Sequence, residues 1–234
     1  MNNRRSFIIG IKSTKLSQKE IIFLKRYKPW GVILFSRNIK NIEQTFSLTS
    51  SIRKIFNDKK YPILIDQEGG RVNRLKNIVL FDNYTSEFFG NKFKKNYKEF
   101  QILYQFFVDK TSYLLNLLGI NINTVPVLDL RIKGSSNIIG DRSFSNDPKI
   151  VSKIGDFFIN QFKKNKIGTV IKHIPGHGLS KKDTHLKLPY ISNKLCYLEK
   201  NDFSVFKNKK SIFAMTAHIV FESIDKHNCV THSK

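Results

Sequence analysis

Three of the six histidines in this 234-residue chain, His173, His177 and His185, fall within IKHIPGHGLSKKDTHLKLP, residues 171–189. Asp183 is the only acid in that stretch. Imidazole titrates near neutral pH, so each histidine is a candidate proton carrier or metal ligand. His173-x₃-His177 together with Asp183 and His185 offers the ligand types of a catalytic zinc site. Pro175-Gly176 disfavours the helix that would bring the first two histidines onto one face, and Lys172 would repel a dication. The stretch reads better as two groups. Lys172 and His173 are donors aimed at ligand oxygens. In Asp183-Thr184-His185 the carboxylate holds the imidazole in one tautomer and raises its basicity, which suits general acid–base work. His177 and His218 read as structural residues that bond loop backbone.

Two other stretches carry chemistry. In IDQEGGRVNR, residues 65–74, Asp66 is an acceptor suited to hydroxyl groups. Gly69-Gly70 permit a tight turn, and Arg71 and Arg74 are expected one helical turn apart, within reach of a local Asp–Arg pair. In IIGDRSFSNDP, residues 138–148, Arg142 stands between Asp141 and Ser143. Its planar fork suits a carbonyl, paired hydroxyls or a loop salt bridge.

These residues need elements to hold them. Short β-rich runs occur at 7–11, 31–35, 62–65, 120–128, 169–171 and 212–217, separated by segments with helical spacing. Ser17 and Glu20 stand in capping-box register at the start of one helix. A second helix ends at Leu118 before Gly119. A third starts after Asp147-Pro148 and runs toward Gly168, and a further helix is expected around 196–207. Alternating strands and helices predict a parallel sheet covered by helices. No G-x-G-x-x-G follows the first strand, so a dinucleotide fold has no support. Polar clusters follow nearly every strand: Ser36-Arg37-Asn38, Asp66-Gln67-Glu68, Asp129, Lys172-His173 and His218. A (β/α)₈ barrel assembles its site at those ends. Only six strands are found where a barrel needs eight, so residues 1–234 read as one barrel domain lacking its C-terminal part.

Composition bounds the rest. Hydrophobic residues make up 40% and aromatics 12%, as in globular chains. The formal charge is +23, yet only nine of the 41 basic residues are Arg and the lysines are dispersed among Asn, Ile, Phe and Tyr. All five types are favoured by AT-rich codons, and no nucleic-acid-binding signature accompanies the charge. Cys196 and Cys229 form neither a disulfide framework nor a metal spacing, which points to a reducing cytoplasm. The start MNNRRSFIIGIKST lacks a secretory core, and no run approaches a membrane span. A cytoplasmic monomer without metal or cofactor, bound to neither nucleic acid nor membrane, is expected.

GVILFSRN, IDQEGGRVNR, PVLDL, IGDRSFSNDP, KHIPGHG, DTHLKLP and AMTAHIVF, in this order from about residue 7 to 225, resemble the family 3 glycoside hydrolases. The nearest group is the bacterial β-N-acetylglucosaminidases of peptidoglycan recycling. The resemblance implies a barrel in which Asp66, Arg74, Arg142, Lys172 and His173 bind N-acetylglucosamine. It makes His185 the acid/base and Asp183 its partner, in a retaining exo-hydrolase without cofactor. Ile174 departs from the commoner Phe. The family's nucleophilic aspartate, in a Ser-Asp-Asp type segment, has no counterpart in these residues, and neither Glu222 nor Asp225 matches it. An inactive remnant, or a barrel that binds sugar without cleaving it, shares the other motifs.

Overall fold

A computed structural model describes residues 4–181 and 188–233. Its main sheet has six parallel strands in the order β1 (Arg5–Gly10), β2 (Pro29–Leu34), β3 (Ile63–Ile65), β4 (Ile122–Asn123), β5 (Gly168–Ile174) and β7 (Phe213–Thr216). Sequential neighbours paired in parallel, each after a helical crossover, are the βαβ pattern expected from the sequence. The sheet is curled. Trp30 of β2 and Phe213 of β7, four strand positions apart, meet across its inside with ring centroids 5.2 Å apart.

Strand alternation divides the core. Ile63 and Ile65 join the large apolar cluster under the helices, while Leu64 between them packs inward with Ile122 and Val170. The outer layer consists of α1 (Gln18–Tyr27), α2 (Ile42–Phe56), α3 (Ser86–Lys95), α4 (Tyr97–Leu117) and α5 (Pro148–Lys164). The Ser17–Glu20 capping box forms, Leu118 caps α4 ahead of Gly119, and Asp147 caps α5 with Pro148 in the first turn. Among the described residues no helix is long and apolar enough to cross a membrane.

Three details depart from the sequence reading. The connector helix is α6 (Leu195–Lys200) followed by a single 3₁₀ turn at Ser204–Phe206. Asn201-Asp202, both poor helix formers, break the expected span. α3 stands apart from α4 because Asn96 takes an extended conformation and caps the second helix with its side chain. A small parallel pair, β6 (Tyr190–Ile191) with β8 (Val220–Phe221), lies outside the main sheet. Two-residue strands carry no readable periodicity.

Candidate active site

The site is built where β3, β4 and β5 end. Asn123 pairs with the backbone of Gln67 on both sides, accepting from its N–H at 3.0 Å and donating to its carbonyl at 2.9 Å. That clamp fixes Asp66-Gln67-Glu68 as an extension of the sheet, so Asp66 and Glu68 emerge on the same side. Gln67 Oε1 then accepts the N–H groups of Arg74 and Leu75, closing the intervening loop. Gly69 and Gly70 supply the left-handed turn, at φ of 95° and 55°. The turn is irregular and not helical, so the two arginines diverge. Arg74 returns to Asp66 at 3.4 Å, whereas Arg71 pairs with Asp141 and donates to the carbonyls of residues 137–139.

Lys172 arrives from β5 with its side chain only 1% exposed. Its Nζ lies 2.5 Å from Asp66 Oδ1 and 2.6 Å from Glu68 Oε1. Arg142 comes from the 3₁₀ turn Gly140–Arg142 and grips Glu68 with two parallel bonds of 2.8 Å. The loop carrying it is held by Ser143, which donates to the Asp129 carbonyl at 2.6 Å. It lies so close to α3 that a Cβ on Gly90 would meet the Phe144 carbonyl oxygen at 1.6 Å. Arg74, Asp66, Lys172, Glu68 and Arg142 therefore form one row of alternating charge.

Burial alone would raise the Asp66 carboxyl, but the Lys172 ammonium beside it, helped by the Thr124 hydroxyl and Arg74, holds it well below the usual carboxylate range. Glu68 follows the same logic. Its desolvation is outweighed by Lys172 and Arg142, and its carboxyl is also lowered. Burial would lower the Arg142 guanidinium, and Glu68 raises it further still above its ordinary value. An ion pair at about 4 Å contributes roughly 4 kcal/mol at an effective dielectric of 20, the scale needed to keep buried charges ionised.

A second cluster lies beside the row. Asp129, wholly buried in the stretch that follows β4, takes His173 Nδ1 at 2.6 Å, the His173 N–H at 3.2 Å and the His177 N–H at 2.7 Å. Burial would raise its carboxyl, but the His173 imidazole and these donors lower it. With Nδ1 engaged, Nε2 is the ring nitrogen of His173 left to face a ligand. The rings of His173 and His177 approach edge to face at 5.6 Å, and burial pushes the His177 imidazole down.

The structure thus brings Asp66, Arg74, Arg142, Lys172 and His173 together. Asp183 and His185 lie outside the described residues. Two buried carboxylates had no assigned role in the sequence reading. Glu68 could have been found by strand alternation from Asp66, whereas the link from Asp129 to His173 spans 44 residues and has no local signal. Other strand-end residues are structural. Arg37 and Asn38 donate to the Ile11 carbonyl, and His218 is exposed and shares a 3.0 Å hydrogen bond with the Thr231 hydroxyl. Among the described residues no three His, Cys, Asp or Glu side chains converge as metal ligands would. A cleft of about 720 Å³ between α1 and α2, lined by Leu16, Ile21, Leu48 and Ile55, carries no acid–base pair.

A curled parallel sheet with paired charges gathered at its carboxyl ends defines an incomplete (β/α) barrel. The chain belongs to glycosyl hydrolase family 3, whose N-terminal domain model matches residues 7–234. It is 34% identical over 233 residues to the beta-hexosaminidase of Haemophilus ducreyi, covering 94% of this chain and 64% of that protein. It is 33% identical over 221 residues to the beta-hexosaminidase of Hydrogenovibrio crunogenus, covering 93% and 61%. The fold is similar to crystalline NagZ of Neisseria gonorrhoeae in complex with N-trifluoroacetyl-D-glucosamine, with a TM-score of 0.85 and 28% identity. That match covers 95% of this chain and 66% of the other. The chain thus spans less than two thirds of both curated relatives.

Proposed function

We propose that this chain is the sugar-binding part of an exo-acting, retaining β-N-acetylhexosaminidase. It would remove terminal N-acetylglucosamine from peptidoglycan fragments of the N-acetylglucosaminyl-anhydromuramyl type, as a cytoplasmic monomer in cell-wall recycling. The observation that carries this reading is the charge row from Arg74 to Arg142. A sugar ring needs fixed acceptors and donors for adjacent hydroxyls, and a row already paired within the protein loses no ordering entropy when the ligand arrives. Asp66 serves as acceptor, with Lys172, Arg74 and Arg142 as donors, and His173 offers Nε2. His185 is the acid/base and Asp183 its orienting partner.

Retaining hydrolysis also needs a carboxylate nucleophile, typically about 5–5.5 Å from the acid/base. The strand-end carboxylates suit that role poorly. Asp66, Glu68 and Asp129 each already hold two or more donors. Asp225 accepts from the N–H groups of His227 and Asn228 and from the Ser233 hydroxyl. In this reading the nucleophile comes from a further barrel segment, for which the relatives, of which this chain spans less than two thirds, have the length.

The test is hydrolysis of an aryl N-acetyl-β-glucosaminide by residues 1–234, beside a version carrying that further segment. Turnover by the longer version alone is expected. Equal turnover by both would assign the nucleophile to a carboxylate within residues 1–234.

A further inference from the structure

Asp202 follows α6 and is 1% exposed, yet it plays no part in the charge row. Neither of its carboxyl oxygens has a hydrogen-bond partner among the described residues. An unpaired buried carboxylate costs several kcal/mol, so a fold keeps one only where its neutral form fits. The chain is moulded around this one. A Cβ on Gly176 would stand 2.7 Å from Asp202 Cβ, and one on Gly178 would stand 3.2 Å from Asp202 Oδ1. Between those glycines lies His177, whose N–H donates to Asp129, and Asp129 in turn holds the His173 ring.

We propose that Asp202 is a positioning residue for the sugar pocket: its neutral carboxyl seats the Gly176–Gly178 turn against Asp129, and its ionisation loosens that turn. Among the described residues the titratable or charged groups around this turn are Asp129 in the stretch after β4, His177 between the glycines, His173 beyond them on β5, and Arg142, whose charge reaches His177. Among the described residues no cation is paired with the carboxyl. Burial, reinforced by the Asp129 carboxylate, pushes Asp202 up to about 6, against a small opposing effect of its own N–H.

The folded state thus holds this proton more tightly than the unfolded chain. The associated stability is full below the ordinary Asp value of about 4 and lost as pH rises through about 6. Ionisation sets a second negative charge near Asp129 without a counter-ion. The turn, and with it the Asp129–His173 contact, relaxes. The consequence for ligand affinity rests on the sugar-pocket reading above, while the consequence for stability does not.

Thermal unfolding of the chain and of Asp202→Asn at pH 5 and pH 8 tests the proposal. The amide mimics the neutral acid, so the variant's midpoint should gain on the wild type by about 5 °C between the two pH values. A pH-independent difference overturns the proposal. Should the variant fail to fold, carbon NMR of the wild-type aspartate carboxyls decides, because an Asp202 midpoint near 4 overturns it equally. The same two proteins are titrated with N-acetylglucosamine. A wild-type affinity that weakens several-fold more than the variant's from pH 5 to pH 8 supports positioning, and equal pH profiles refute it. Absence of binding in both proteins at both pH values counts against the sugar-pocket reading, and the thermal comparison still decides whether Asp202 acts on the turn.

Discussion

Glu68 and Arg142 meet in a two-bonded pair, Nε to Oε2 and Nη2 to Oε1, each at 2.8 Å, although 74 residues separate them in the chain. Glu68 also receives Lys172, so one carboxylate joins the β3 end, the β5 end and the loop before α5. Glu68→Gln leaves the largely buried Arg142 without its carboxylate and Lys172 with Asp66 alone, and removal of one member of a buried pair costs about 3 kcal/mol. The thermal midpoint should fall by roughly 6–12 °C for a chain of this size. Asp141→Asn, which breaks the half-exposed pair with Arg71, should cost under about 1 kcal/mol. Similar losses in the two variants would contradict the bridging role.

Asp129→Asn keeps the shape of the side chain but turns an amide toward His173 Nδ1. The ring must then accept at Nδ1 and carry its proton on Nε2, which reverses the face offered to a ligand. Nitrogen NMR of His173 at pH 8 should report a protonated Nδ1 in the parent and a bare one in the variant. An unchanged tautomer would remove Asp129 from the account.

Acid should unfold the protein through the site itself. Asp66, Glu68 and Asp129 are all held below their ordinary values. A depressed carboxyl binds fewer protons folded than unfolded, so its stabilisation is complete above the unfolded value of about 4 and is lost below it. The urea midpoint should drop steeply from pH 4 to pH 2.5. Asp202 has the opposite sign and acts at higher pH. A flat profile down to pH 2.5 would show that these carboxylates are not held as described.

His185→Ala, tested in a version with a complete barrel, should lower turnover far more for a sugar leaving group than for an activated phenol. The phenol departs with little protonation, so loss of the acid harms it less. Asp183→Ala should give the same pattern more mildly. Equal losses on both substrates would exclude His185 as the acid.

The barrel was legible because its six strands are apolar runs, nearly all ending in polar residues, a pattern that survives without knowledge of contacts. Asp66 and Lys172 were legible for the same reason, since each stands at a strand end, whereas Arg142 stood out as a scarce arginine in the loop before α5. Their pairing was not. Arg142, between Asp141 and Ser143, reads equally as a ligand donor or as half of a loop salt bridge; its fork closes on Glu68, a counter-ion 74 residues away that local sequence does not reveal. Arg71 and Arg74 looked alike at three residues' spacing, and the positive-φ glycines sent them to different partners. Asp202 was invisible for a related reason. Its lack of a partner is a property of packing.

A charge row that binds a sugar must respond to one in solution. The most direct measurement is an amide NMR titration of residues 1–234 with N-acetylglucosamine, repeated on Asp66→Ala. Saturable shifts at Glu68, Arg142, Lys172 and His173 that vanish in the variant are the predicted result. Shifts confined to the α1–α2 cleft, or shifts at the row that persist without the Asp66 carboxylate, would contradict it.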